Sequence, residues 1–216
     1  MKIEDKKQLV KLISFLAMSD GSIHKNGGSK NNVFSISATE KHKDFIEYCK
    51  EITDNITSSR IYSQSRDLPR QNLIKLQTLS HPFFNALRDR IYIETYKSID
   101  PHALKLLDYE SLAILYMSDG CLGRYVKDGI VKGYTTTLNL CRLSYGDYFI
   151  LKKALKDKLN LEFNIVKTNR KYYSLRLRTK DIPKFIKGIR PFILNSFLYK
   201  VDYRTIGSSI EDGDIV

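Results

Sequence analysis

The chain has 216 residues, 42% of them hydrophobic and 11% aromatic, which is enough for a buried core and too apolar for a disordered protein. Its 36 Lys and Arg against 24 Asp and Glu leave a net charge of +12, so a polyanionic partner is expected, most simply nucleic acid. No apolar run reaches the ~18–20 residues that span a bilayer, the start Met1-Lys2-Ile3-Glu4-Asp5-Lys6 has no apolar leader, and Cys49, Cys121 and Cys141 form no CxxC pair. An intracellular, reducing setting without a membrane, zinc site or disulfide framework is expected.

In chain order, Gln8–Ser19 places Leu9, Leu12, Ile13, Leu16 and Ala17 at helical spacing and runs into Asp20-Gly21. The stretch from His24 to Asn32 is polar and glycine-rich. Val33–Ala38 alternates as a strand with one buried face. Lys43–Ile52 reads as a helix, through Phe45, Ile46, Cys49 and Ile52. Arg60–Arg66 and Asn72–Thr78 read as strands joined around Asp67-Leu68-Pro69, and Pro82–Ile93 as a helix. After a linker the order returns. Tyr109–Met117 is helical with Asp108 as N-cap and ends at Asp119-Gly120. Gly133–Leu143 reads as a strand, Phe149–Leu159 as a helix, Leu161–Lys167 and Tyr172–Arg178 as strands, and Pro183–Phe192 as a helix.

Similar words stand at matching places. Residues 13–21, Ile-Ser-Phe-Leu-Ala-Met-Ser-Asp-Gly, answer residues 112–120, Leu-Ala-Ile-Leu-Tyr-Met-Ser-Asp-Gly. Ser35-Ile36-Ser37 matches Asn139-Leu140-Cys141, Phe45-Ile46 matches Phe149-Ile150, and Tyr96-Lys97 matches Tyr199-Lys200. The chain therefore reads as an α+β fold of two pseudo-symmetric αββαββα repeats, 1–97 and 109–203, with linker 98–108 and a flexible tail 204–216. A duplicated acidic helix end suggests that two carboxylates act at one place.

These residues resemble the LAGLIDADG homing endonuclease family in its single-chain, two-repeat form. The motif's eighth position, the family's catalytic acid, falls on Asp20 and Asp119, and the often-glycine third position holds Phe15 and Ile114. The resemblance implies a saddle of antiparallel sheets, with the motif helices at a central interface and both aspartates at its floor. Like charges at the negative ends of two helix dipoles repel, and divalent cations relieve that repulsion. Mg²⁺, or Mn²⁺, is implied, held around Asp20, Asp119, Ser19, Ser118, Gly21 and Gly120; Ca²⁺ would occupy the sites without supporting cleavage. Lys97 and Lys200 are implied partners of the attacking water. The implied activity is hydrolysis of both strands of a long, non-palindromic double-stranded DNA site by a monomer, leaving cohesive 3′ overhangs. The rivals are a maturase that binds its intron RNA and a non-cleaving regulator on the same fold. An organelle such as the mitochondrion, or a bacterial or phage context, would suit such a protein.

In the family each sheet enters a major groove, so strand alternation picks out the groove-facing side chains. They are Ser35, Ser37, Arg60, Tyr62, Gln64, Lys75 and Gln77 in the first half and Thr137, Asn139, Arg176 and Arg178 in the second. Tyr134 has the wrong parity and is kept as a contact from the strand's start. Lys25, Asn26, Lys30, Arg66, Arg70, Arg124, Lys127, Lys132 and Lys171 in the loops are expected on phosphates. Phe34, Ile36, Ile74, Leu76, Leu138, Leu140, Leu175 and Leu177 should pack under the helices.

Overall fold

The computed structural model describes residues 2–64, 72–128, 130–140, 143–168 and 172–202. Arg66, Arg70, Lys171, the Gln64 side chain, Cys141 and the tail fall outside the described residues. The chain divides into two compact units. The first runs to Leu106 and takes in Leu194–Ser196; the second starts at Leu107.

In the first unit, α1 (Lys6–Met18) starts at Asp5, whose carboxylate accepts the Lys7 N–H at 2.8 Å. Every residue from Lys11 to Met18 is buried, Phe15 included. A helix sealed on all sides has no polar face, so its amphipathic stripe widens to the full circumference. The strands β1 (Ser22–Lys25), β2 (Asn32–Thr39), β3 (Ser59–Gln64) and β4 (Leu73–Thr78) form one antiparallel sheet in the order β1-β2-β4-β3. The helices α2 (Lys43–Thr53) and α3 (Pro82–Ile91) pack against it. Phe34, Ile36, Ile74 and Leu76 lie on the helix-covered face, all buried. At roughly 1.5–3 kcal/mol for each large apolar side chain, this face fixes the register of the sheet.

Three elements differ from the sequence expectation. β1 had read as loop because only Ile23 of its four residues is fully buried; it is an edge strand paired to β2 from Ser22↔Ser35 to Lys25↔Asn32. The helix expected to Ile93 ends at Ile91, and a hairpin of β5 (Tyr92–Ile93) and β6 (Tyr96–Lys97) follows. The stretch expected as a linker, 98–108, holds α4 (Pro101–Leu104), and all of it but Leu107 and Asp108 falls in the first unit. Its Asp100 is buried, pairs with Arg90 and caps α4 by accepting the His102 N–H.

The second unit repeats the plan. The helix α5 (Tyr109–Asp119) opens on a capping box of Asp108 and Ser111 and is buried from Ser111 to Met117. The strands β7 (Gly120–Lys127), β8 (Ile130–Leu138), β9 (Phe163–Thr168) and β10 (Tyr172–Leu177) form a second antiparallel sheet, β7-β8-β10-β9, in the same order as the first. The edge strand β7 had no sequence expectation, because most of its residues are exposed and show no alternation of polarity. A second capping box, Ser144 and Asp147, starts α6 (Tyr145–Leu159) four residues ahead of the expected Phe149. The helix α7 (Ile182–Ile189) is followed by 3₁₀ segments at Arg190–Phe192 and Asn195–Lys200. Leu138, Leu140, Leu175 and Leu177 are buried under the helices, as expected. Among the described residues, no helix is long and apolar enough to cross a membrane.

Candidate active site and nucleic-acid interface

Each motif helix delivers its aspartate directly before an edge strand. In the first unit α1 stops at Met18, the buried Ser19 N–H returns to the Phe15 carbonyl, and the Gly21 N–H to the Leu16 carbonyl at 2.9 Å. Asp20 is left exposed between them. Its charge reaches the core: the buried Cys49 thiol is pushed up by burial first and by Asp20 second. Gly21 is required by packing, because a Cβ there would sit 2.5 Å from both the Leu16 carbonyl oxygen and the Phe34 ring. In the second unit Asp119 is the last residue of α5 and half-exposed, and its carbonyl accepts the Asn139 N–H at 2.9 Å. The Tyr116 ring fills the space a side chain on Gly120 would need.

The two lysines reach these helix ends. The Lys97 ammonium, carried by β6, donates to the carbonyls of Ser19 and Gly21, the second at 2.6 Å. The Lys200 ammonium donates to the Met117 carbonyl at 2.7 Å and the Tyr116 carbonyl at 3.3 Å. The Tyr116 hydroxyl donates back to the Lys200 carbonyl at 2.9 Å. A cation at a helix C-terminus is favoured by the dipole and by the terminal carbonyls that lack intrahelical partners. The units are not identical here. Lys97 straddles the aspartate in sequence, whereas Lys200 sits further back along its helix.

The remaining residues of the implied metal site have other engagements. The Ser19 hydroxyl donates to the Leu16 carbonyl at 3.1 Å, and the Ser19 and Gly21 carbonyls hold Lys97. Ser118 lies within α5, and Gly120 opens β7 opposite Leu138. Among the described residues, no three His, Cys, Asp or Glu side chains cluster as a cage for a metal.

On the face of the first sheet opposite α2, cross-strand pairing aligns Ser35 with Gln77, Ser37 with Lys75, Arg60 with Gln77 and Tyr62 with Lys75. Apart from Gln64, whose side chain lies outside the described residues, the expected set shares one face, with one correction. Ser35 is 5% exposed, because β1 lies along β2 and sets Ser22 opposite it. Lys25, Asn26 and Lys30 are exposed on and around the β1–β2 turn. His24 lies on the polar face too, and its pKa is lowered by burial first, then by Lys75 and Arg88. An open depression of about 690 Å³ is lined by Asn26, Arg60, Tyr62 and Gln77.

In the second sheet Thr137 pairs with both Arg176 and Cys121, and Asn139 is exposed beyond the strand's end. Three expectations change. Tyr134 is 8% exposed and shares the core side with Leu138, so its parity decides against a groove contact. Arg178 lies past the end of β10 and is ion-paired to Glu162. That carboxylate is held below its usual range by its Lys156 hydrogen bond first. Arg124 is not in a loop: it sits on β7 opposite Tyr134. Lys127 ends β7, and Lys132 lies at the bulge where the β7–β8 register shifts. Three further polar side chains, not expected from the sequence, share these faces: His24, Thr135 and Asn164, the last opposite Arg176. The parity of Thr137 was the available signal for Thr135; the others needed the strand pairing.

The matched halves, the shared sheet order and the paired acidic helix ends define a duplicated α+β nuclease-type scaffold. The chain belongs to the LAGLIDADG DNA endonuclease family, which it matches over residues 15–185. It is 29% identical over 141 residues to the uncharacterized protein MJ1098 of Methanocaldococcus jannaschii, covering 63% of this chain and 53% of that protein, so it spans about half that relative's length. It is 22% identical over 209 residues to the cytochrome b mRNA maturase bI2 of Debaryomyces hansenii, covering 90% of this chain and 74% of that protein. Among solved structures, the homing endonuclease I-WcaI bound to its DNA recognition sequence superposes with a TM-score of 0.74 at 22% identity, covering 91% of this chain and 87% of that one. I-DmoI in complex with DNA and Ca superposes with a TM-score of 0.51 at 16% identity, covering 85% and 89%.

Proposed function

We propose that this chain is a site-specific, metal-dependent DNA endonuclease. It binds one long, non-palindromic duplex with the polar faces of its two sheets, acts as a monomer, and hydrolyses both strands to leave cohesive 3′ overhangs. The observation that carries this reading is the repeated helix end. In each unit an aspartate stands at the C-terminal end of the motif helix and a lysine donates to backbone carbonyls at that end, Lys97 to those of Ser19 and Gly21 and Lys200 to those of Met117 and Tyr116. A structural role alone would need the cation but not the paired acid.

The donor chemistry fits a small, hard cation. The first helix end offers oxygen donors, and its Ser19 hydroxyl and Gly21 carbonyl are already committed. The Asp20 carboxylate, exposed at the end of α1, is the hard oxygen donor offered to the ion, with Asp119 its counterpart in the second unit. Water and phosphate oxygens would complete the shell, the arrangement Mg²⁺ prefers and Mn²⁺ accepts. I-DmoI was crystallised with DNA and Ca, in keeping with divalent-ion sites in this fold. When bound, the ion lowers the pKa of a water and neutralises charge on the phosphate. The protein's own groups do the rest. Asp20 and Asp119 hold the reacting region at the helix ends. Lys97 and Lys200 place positive charge where phosphate charge develops. Arg60, Lys75, Gln77, Thr137 and Arg176 on the sheets read bases, and the exposed Lys25, Lys30, Lys127 and Lys132 hold phosphates.

A maturase acting on intron RNA, in an organelle, is the second reading, favoured by the match to a cytochrome b mRNA maturase over 90% of this chain. The test is incubation of the protein with a library of long random duplexes and Mg²⁺, with Asp20→Asn and Asp119→Asn alongside. The expected result is double-strand cleavage by wild type and single-strand nicking by each variant. Tight duplex binding without any Mg²⁺-dependent cleavage would sink the nuclease reading and leave a non-cleaving regulator.

A further inference from the structure

One residue of the second motif helix grips Lys200 at both ends. Tyr116 donates its hydroxyl to the Lys200 backbone carbonyl at 2.9 Å. Its own carbonyl accepts from the Lys200 ammonium at 3.3 Å, beside the 2.7 Å bond to the Met117 carbonyl. The ammonium also stands 5.3 Å from the centre of the buried Phe197 ring, in the same 3₁₀ segment. The phenol is itself held in place by packing. Its ring is fully buried, meets the Phe185 ring edge-on with centroids 5.0 Å apart, and covers Gly120 so closely that a Cβ there would lie 2.0 Å from it.

The first motif helix has no such group. Aligning the two motifs sets Tyr116 against Ala17, whose methyl group cannot hydrogen-bond. The two lysines also rest at different places. Lys97 spans the residues on either side of Asp20. Lys200 lies on carbonyls two and three residues before Asp119, roughly 3–4.5 Å back along the helix axis at the ordinary helical rise. A lysine carries its charge on a long flexible stem, so where that charge rests depends on where the backbone is pinned. At the second helix end, Tyr116 pins it.

We infer that Tyr116 is a positioning residue of the second active site: it fixes where Lys200 meets the helix end, so that cleavage of the strand served by Asp119 depends on this phenol and cleavage of the strand served by Asp20 does not. This rests on the proposed nuclease activity and assigns a further residue to the same site. Tyr116 is buried and acts only through Lys200.

The experiment is single-turnover cleavage, with Mg²⁺, of a duplex selected with the wild type, each strand carrying its own label. Asp119→Asn identifies the second unit's strand as the one it leaves intact. Tyr116→Phe keeps the ring and removes the hydroxyl. It should slow that strand about tenfold, the worth of one hydrogen bond expressed as a rate, and leave the other strand within about twofold of wild type. In a Lys200→Met background, which retains the backbone carbonyl, Tyr116→Phe should add no further loss, because both changes act through one group. A second-strand rate unchanged by Tyr116→Phe, an equal fall on both strands, or a full further loss on top of Lys200→Met overturns the inference while the nuclease reading stands. A wild type that cuts neither strand of any duplex overturns the nuclease reading itself, and this inference with it.

Discussion

Replacing Gly21 by alanine tests how tightly the acidic helix end is built. A Cβ at this position would lie 2.5 Å from the Leu16 carbonyl oxygen and 2.5 and 2.7 Å from two carbons of the Phe34 ring. Ordinary contact needs about 3.4 Å or more, so something must move by roughly 1 Å. The Leu16 carbonyl cannot swing away without losing the Gly21 N–H that it accepts at 2.9 Å. The Phe34 ring is fully buried and stacked on Phe84 at 6.2 Å. Overpacking of this kind costs about 1–3 kcal/mol. For a chain of this size that lowers Tm by about 2–4 °C per kcal/mol, hence about 2–12 °C. Gly28→Ala is the control, because a Cβ there meets nothing within 4 Å; its effect should stay within about 0.5 kcal/mol or be slightly stabilising. Phe34→Leu should partly rescue Gly21→Ala, so that the double variant loses less than the two singles together. Scanning calorimetry reads the wild type and all four variants. A Gly21→Ala protein as stable as Gly28→Ala would refute the packing account of the Asp-Gly turn.

Two further outcomes follow from the same geometry. Lys97→Met removes two charge-assisted hydrogen bonds from the carbonyls of the buried Ser19 and Gly21, so it should cost about 1–2 kcal/mol in urea denaturation, and Lys200→Met a similar amount. If the lysines also act on the phosphate, strand cleavage should fall about 100-fold or more at a temperature where the variants remain folded; a rate unchanged at full folding would leave them a capping role only. His24 concerns pH. Its folded pKa is lowered by burial, Lys75 and Arg88 from 6.5, so the unfolded chain binds its proton first as pH falls. Stability should therefore drop as pH is lowered through about 6.5, and His24→Gln should lose that component. Tm measured from pH 7.5 to 5 checks this; equal slopes for the two proteins would contradict it.

Some of this was legible in the chain because it is local. Helical spacing through Leu12, Ile13 and Leu16, the Asp108 N-cap and the alternation at Phe34 and Ile36 each depend on residues within a few positions of one another. The repeated Met-Ser-Asp-Gly added long-range information because the chain says it twice. The edge strands β1 and β7 escaped, since an edge strand buries few side chains and so carries little alternation. Ser35, Tyr134 and Arg178 changed role for a related reason. The first is covered by a strand that had not been expected, the second follows its own parity into the core, and the third is drawn past the strand end to Glu162.

By itself, then, the sequence determined the duplicated α+β plan, the two acidic helix ends and the polar strand faces, because hydrophobic periodicity and repetition are written along the chain. Only the tertiary structure decided that Lys97 and Lys200 sit at different depths on the carbonyls of the motif-helix ends, and that Gly21 faces Phe34. Each of these joins residues far apart in the chain, through contacts whose geometry depends on strand register and on packing to within about an ångström.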